Sequence, residues 1–197
     1  MKKKPILKRI LIIVGSIVLA AALAFLISYG YIRINTPKEY LIETPNRFET
    51  QQHLECAGYS SAYVLRSLGE EDAKGLELYE EIKDKNEDGT VNPGPVIKLL
   101  KSHNRSAKML PGNELLLKYY ISRGVPVIVL CREKPGSKYL HYLPVVGYDE
   151  ESFYCADSLG YLAPERNEHY NRIVVNDSFM EMWDIGYPVK NFMIVAK

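Results

Sequence analysis

From Ile10 to Ile32 the chain is apolar apart from Ser16, Ser28 and the tyrosines. A run of this length reaches the roughly 20 residues that an α-helix needs to cross a bilayer. Its N-terminal flank, residues 1–9, carries Lys2, Lys3, Lys4, Lys8 and Arg9. The positive-inside rule then puts Met1 in the cytoplasm and everything after Arg33 outside. A cleaved signal peptide is the competing reading, because Ala20 to Ala24 offers small-residue sites. The apolar run continues past them through Phe25, Leu26 and Ile27, which is longer than a signal core of roughly 7–15 residues. The expectation is an uncleaved single-pass signal anchor (10–32) in the cytoplasmic membrane, with a secreted domain as the outcome if the segment is cleaved.

Residues 33–48, with Pro37 and Pro45, read as a short polar linker. The remainder of the chain, 49–197, is roughly 150 residues, which suits a single domain with a sizeable core. The formal net charge of +1 leaves no basic face of the kind that nucleic acid requires. The basic end is a topology signal, and no motif suggests a nucleotide site.

Within the domain the sequence is organised around the stretch from Gln51 to Leu65. Small residues follow Cys56, then Tyr63, Val64, Leu65 and Leu68, and Gly69 suits a C-cap. This predicts a buried helix with Cys56 in its first turn. A thiol attacks a carbonyl only as thiolate, and an unperturbed pKa near ~8.5 leaves little of it at neutral pH, so a nucleophilic cysteine needs positive potential beside it. A helix N-terminus supplies part of that potential. Alone, such a cysteine reads as an ordinary core thiol; the partners change that.

Those partners lie downstream. Leu140 to Asp149 reads as a strand beginning at His141, and Ser152 to Asp157 as a short strand across the turn at Asp149, Glu150 and Glu151. An antiparallel hairpin brings His141 and Asp157 together. Nucleophilic catalysis needs these groups: a base to take the thiol proton and a third residue to hold the imidazole's other nitrogen.

Gln-x4-Cys-Ala-Gly at a helix start, His-Tyr-x-x-Val-Val-Gly-Tyr-Asp on a strand and Tyr-x-x-Asp-Ser after the hairpin resemble the family 39 cysteine peptidases. These are the bacteriocin-processing peptidases and their stand-alone relatives, within the papain-like clan. The likeness runs from about Thr50 to the C-terminus and includes Phe179 to Trp183. The resemblance implies Cys56 as nucleophile, His141 as base, Asp157 as the residue that orients it, and Gln51 as the side chain that donates to the oxyanion, with Gln52 the runner-up. Ala57 stands directly after Cys56, where many members have Gly.

The rest of the chain supplies the frame. Glu70 to Lys83 reads as a helix with Leu76, Tyr79 and Ile82 on one face and acidic residues on the other. Pro95 suits N1 of a helix over 96–101, and another helix covers Glu114 to Ser122. The loop from Lys85 to Gly94 lacks the alternating ligands of a calcium loop, and no metal or cofactor is assigned. Val125 to Cys131 is a continuous apolar run, the mark of a strand buried on both faces. With the hairpin, Ile173 to Val175 and Phe192 to Val195, it makes an antiparallel sheet. The expected class is α+β, a papain-like fold with N-terminal helices packed on that sheet. Gly160 to Asn171, the longest irregular segment, is either a border of the cleft or plain loop. Cys131 and Cys155 read as buried thiols, with a disulfide as the alternative. Of the other histidines, only His53 is near enough to Cys56 in sequence to rival His141 as base.

The function expected is a membrane-anchored cysteine peptidase acting on a peptide or protein at the cell surface. An amidase or transpeptidase on cell-wall peptides would use the same residues. A non-catalytic peptide-binding module on the same fold is the alternative of a different class.

Overall fold

The apolar N-terminal run forms one continuous helix, α1 (Lys4–Ile34), of which Arg9–Ile34 is long and apolar enough to cross a membrane. The computed structural model describes residues 4–186 and 190–197. Met1, Lys2 and Lys3 of the basic flank lie outside the described residues. The chain divides after Thr36 into this helix and a second unit, Pro37–Lys197.

That second unit begins earlier than the sequence suggests, because much of the linker read at 33–48 is packed structure. Tyr40–Leu41 forms a short strand, β1, paired with Tyr148 and Gly147, and Ile42 is buried. The reason lies in the next helix, α2 (Cys56–Ser67). Its last turn buries Arg66, whose guanidinium donates to Asn46 Oδ1 at 2.7 Å, to the Arg47 carbonyl at 2.8 Å and to Glu49 Oε2 at 3.0 Å. A buried guanidinium must have its donors met, and meeting them fixes the chain that leads to Gln51. The helix stops where expected: Gly69 adopts φ +95°, a conformation glycine reaches at little steric cost, and its amide bonds back to Arg66.

The expected helix over Glu70 to Lys83 is shorter and in a different phase. α3 spans Gly75–Glu81, because side chains claim the backbone before it. Arg47 donates to the Glu71 and Ala73 carbonyls, Arg66 also takes Ala73, and Glu49 accepts the Gly75 amide. Leu78 is then the buried residue and Leu76 is exposed. α4 (Pro93–Ser102) starts two residues before the predicted position, with Pro93 at N1 and Asn92 as cap. Next comes a strand that the pattern does not announce, β2 (Ala107–Pro111), with only Ala107 fully buried. α5 (Glu114–Ile121) is capped by Asn113, whose side chain accepts the Leu116 amide.

From there the chain builds the sheet: β3 (Val127–Arg132), β4 (Leu140–Tyr148), β5 (Ser152–Cys155), β6 (Arg172–Val175), then helix α6 (Asn176–Trp183) and β7 (Phe192–Ala196). Among the described residues, seven strands form one sheet in the order β2-β7-β3-β4-β5-β6, with β1 added to β4. Every pairing is antiparallel. α2, α3 and α4 cover one face, packing on Ile128, Leu130, Tyr142 and Ile194. α5 and α6 cover the other through Leu117, Ile121, Phe179, Met182 and Trp183, against Val127, Val129, Leu143 and Val145. Alternate residues of β3 thus enter two cores, which is why that strand reads as an unbroken apolar run. Cys131 on β3 and Cys155 on β5 are buried free thiols on strands that β4 separates, so the disulfide alternative does not form.

Candidate active site

Cys56 is the first residue of α2, half-buried, where the unpaired amides of a first helical turn and the helix dipole favour negative charge. Ser60, one turn on, donates to the Tyr142 carbonyl at 2.7 Å. That bond pins α2 to β4 one residue beyond His141. Glycine at 58 sets the approach of the neighbouring helix: a Cβ there would stand 2.3 Å from the Gly75 carbonyl and 2.5 Å from Tyr79 Cβ.

The hairpin joins β4 to β5 with Val145 opposite Cys155, and the Ala156 amide continues it onto the Pro144 carbonyl. Asp157 therefore emerges beside the start of β4, and His141 Nε2 lies 2.9 Å from its Oδ1. Both side chains are buried. The Cys56 thiol lies within electrostatic reach of the His141 ring. Burial alone would lower the His141 pKa, but the Asp157 carboxylate and then Cys56 outweigh it and push it up to about 10. Burial likewise opposes ionisation of Asp157; the charges of His141 and Arg172 and the Leu159 amide hold its carboxyl below the usual range. Both shifts favour the imidazolium–carboxylate form of the pair.

Gln51 is buried. Its amide bonds to the Ser158 carbonyl at 3.0 Å, its Oε1 accepts from Ser158 Oγ at 2.6 Å and its Nε2 donates to the His53 carbonyl at 2.7 Å. Gln51 is therefore fixed to the residue that follows Asp157, whereas Gln52 is exposed. His53 is exposed on the loop before Cys56. His103 is engaged elsewhere, between Glu70 and Glu81, and His169 meets Tyr63 through its carbonyl.

Gln51, His53, Cys56 and His141 line one cavity of about 790 Å³. Leu54, Val91, Tyr139, Leu140, Tyr142 and Tyr161 give it apolar walls. Of the irregular segment from Gly160 to Asn171, only Gly160 and Tyr161 border this cleft; Tyr170 stacks on Tyr154 instead. The segment's last residue does a different task. Asn171 Oδ1 accepts the Asp157 amide and its Nδ2 donates to the Asp157 carbonyl, both at 2.7 Å. Its neighbour Arg172 bonds the Asp157 carboxylate at 2.7 Å. Sequence reasoning misses both; the only signal is an Asn-Arg pair at the start of an apolar strand.

A cysteine at a helix start, a buried histidine held by a carboxylate and a fixed side-chain amide near one cleft are the kinds of group that acyl transfer uses. The family model described as "Peptidase_C39 like family" matches residues 43–187. A search of the curated proteins finds no match. Among solved structures, the fold is similar to a Bacillus anthracis protein described as a C39-like peptidase, with 19% identity and a TM-score of 0.59 over 80% of this chain and 96% of that one. It is also similar to the peptidase domain of Streptococcus ComA, a bifunctional ABC transporter involved in a quorum-sensing pathway, with 14% identity and a TM-score of 0.60 over 78% and 98% of the two chains. A third similar structure is a double-glycine-motif protease from an AMS/PCAT transporter in complex with its leader peptide, with 16% identity and a TM-score of 0.56 over 80% and 93%.

Proposed function

The chain belongs to the peptidase C39-like family, and on that premise we propose that it is a cysteine peptidase, anchored in the cytoplasmic membrane by α1 with its catalytic domain outside. In this reading residues 1–9 are a cytoplasmic tail, 10–32 the span and 37–197 the catalytic domain. Cys56 attacks the carbonyl carbon of a peptide bond, and His141 passes its proton to the leaving amine. Water then hydrolyses the thioester with His141 as base. Asp157 holds the His141 ring, and the Gln51 side chain with the Cys56 amide donates to the oxyanion.

The observation that carries the reading is the buried His141–Asp157 pair, 2.9 Å apart, whose histidine lines the same cleft as Cys56. Taking such a pair out of water is costly, and perturbed titratable groups beside a cleft cluster at functional sites. The cleft has apolar walls, and one similar structure is a complex with a leader peptide. The test is cleavage of a peptide library by the detergent-solubilised full chain, read by mass spectrometry. Products must appear with the wild type and vanish with Cys56→Ala. Binding without cleavage, equal in wild type and Cys56→Ala, would replace this reading by that of a peptide-binding module. The hydrogen bond that already holds one Gln51 N–H on the His53 carbonyl is the observation favouring that alternative.

A further inference from the structure

Arg172 opens β6 with its side chain buried. Its Nη1 bonds Asp157 Oδ2 at 2.7 Å, while Nη2 donates to the Glu133 carbonyl at 2.8 Å and lies 3.8 Å from Met182 Sδ. The other carboxylate oxygen, Oδ1, faces His141 and also accepts the Leu159 amide at 2.8 Å. Asp157 is therefore held at both oxygens, by different partners on different elements. Glu133 extends the connection to the cleft: its Oε2 accepts from Tyr161 Oη at 2.8 Å, and both residues line the cavity.

Packing alone does not call for this arrangement, since an apolar residue of similar volume often serves a buried position as well as an ion pair does. We propose that Arg172 is a positioning residue for Cys56, His141 and Asp157. It keeps Asp157 ionised and fixes the rotation of the carboxylate so that Oδ1 stays on the His141 ring, and it ties that carboxylate to the cleft wall through Glu133. The inference rests on the peptidase reading above.

Around Asp157, His141 has the larger effect on ionisation of the carboxyl and Arg172 adds to it. His141 faces it from β4, the buried thiols Cys131 and Cys155 from β3 and β5, and the Tyr161 phenol from the loop. The Glu133 carboxylate is taken by Tyr161 and Ser137. Arg172 differs from all of these in carrying a permanent positive charge. An Arg⁺ beside a carboxylate lowers its pKa by roughly 1–3 units.

The experiment is the rate of Cys56 alkylation by iodoacetamide in the detergent-solubilised full chain, followed from acid to neutral pH. Arg172→Met moves the acidic limb of the profile up by about one pH unit, a loss of about tenfold at a fixed pH on that limb. Arg172→Lys, which restores the charge, returns the limb to within a few tenths of a unit. In an Asp157→Asn background, Arg172→Met changes the rate by less than about twofold, because a residue that acts through Asp157 has nothing left to act on. A folded Arg172→Met variant with the wild-type limb overturns the proposal, and so does a tenfold loss repeated in the Asp157→Asn background. If Arg172→Met does not fold, Arg172→Gln is judged by the same criteria. If wild-type Cys56 reacts like an ordinary thiol and ignores His141→Ala, the peptidase reading falls and takes this proposal with it. If the wild type is reactive and the Arg172 variants match it, this proposal alone falls.

Discussion

Gly58→Ala sets two effects of opposite sign against each other. Gly58 lies inside α2, and alanine there is favoured over glycine by about 1 kcal/mol of helix propensity. The structure opposes the change. The new Cβ would meet the Gly75 carbonyl at 2.3 Å and Tyr79 at 2.5 and 2.6 Å, the last being its backbone nitrogen. Two of the three atoms are backbone, so no rotamer change relieves the clash, and α3 must retreat by roughly 0.7 Å before the nearest contact reaches 3.0 Å. α3 is held by Glu49 on the Gly75 amide and by Tyr79 Oη on the Gly89 carbonyl, which resists that retreat. Overpacking of this kind costs about 1–3 kcal/mol, and with this rigidity the upper part of the range applies. The net expectation is a loss of about 1–2 kcal/mol, or a Tm lower by roughly 2–8 °C for a domain of this size. The sole tryptophan, Trp183, is fully buried, so urea unfolding followed by its fluorescence gives the difference directly. A variant as stable as the wild type, or more stable, would refute the close crossing of α2 and α3 and with it the account of how Cys56 is placed.

Three further outcomes are expected. Because the folded His141 pKa is raised to about 10 from an ordinary value of 6.5, its contribution to stability is complete below about pH 6.5 and is lost as pH rises towards 10, at up to about 1.4 kcal/mol per pH unit. Asp157, whose pKa is depressed, contributes above its ordinary value and loses that contribution as pH falls through the folded one; urea midpoints across pH should show both ends, and Asp157→Asn should flatten the alkaline one. Gln51→Ala should lower peptide turnover by about 10²–10³ with Cys56 still present, whereas Gln52→Ala stays near wild type; equal losses would remove Gln51 as the oxyanion donor. Ser60→Ala leaves the buried Tyr142 carbonyl without this donor and should cost about 1–3 kcal/mol in the urea assay, an unchanged midpoint arguing that α2 is not pinned to β4 there.

What the sequence makes legible is what local pattern encodes. The cysteine helix is marked by its small residues and by Gly69. His141 and Asp157 meet because a short hairpin brings them together, and β3 declares its central position by being apolar throughout. Phase and long-range hydrogen bonding are harder. α3 starts late because Arg47, Arg66 and Glu49 capture the backbone before it, and nothing in Glu70 to Lys83 signals partners that lie before or at the end of α2. β2 escapes because Lys108, Met109 and Pro111 are exposed on an end strand, so it shows neither alternation nor β-branched residues. Asn171 and Arg172 escape for a related reason: an asparagine at the end of a polar loop and an arginine at the start of a strand look like any solvated residues until the fold sets them against Asp157.

The account turns on whether Cys56 is a nucleophile supported by His141. The direct measurement is alkylation of the full chain near pH ~6 by a haloacetamide, with adducts located by mass spectrometry and wild type compared with His141→Ala. Cys131 and Cys155 serve as internal references, since burial raises both thiols, Cys155 to about 12. The account predicts labelling confined to Cys56, faster than a free thiol at the same pH and abolished in His141→Ala. Labelling of Cys56 no faster than a free thiol, or unaffected by loss of His141, would contradict it.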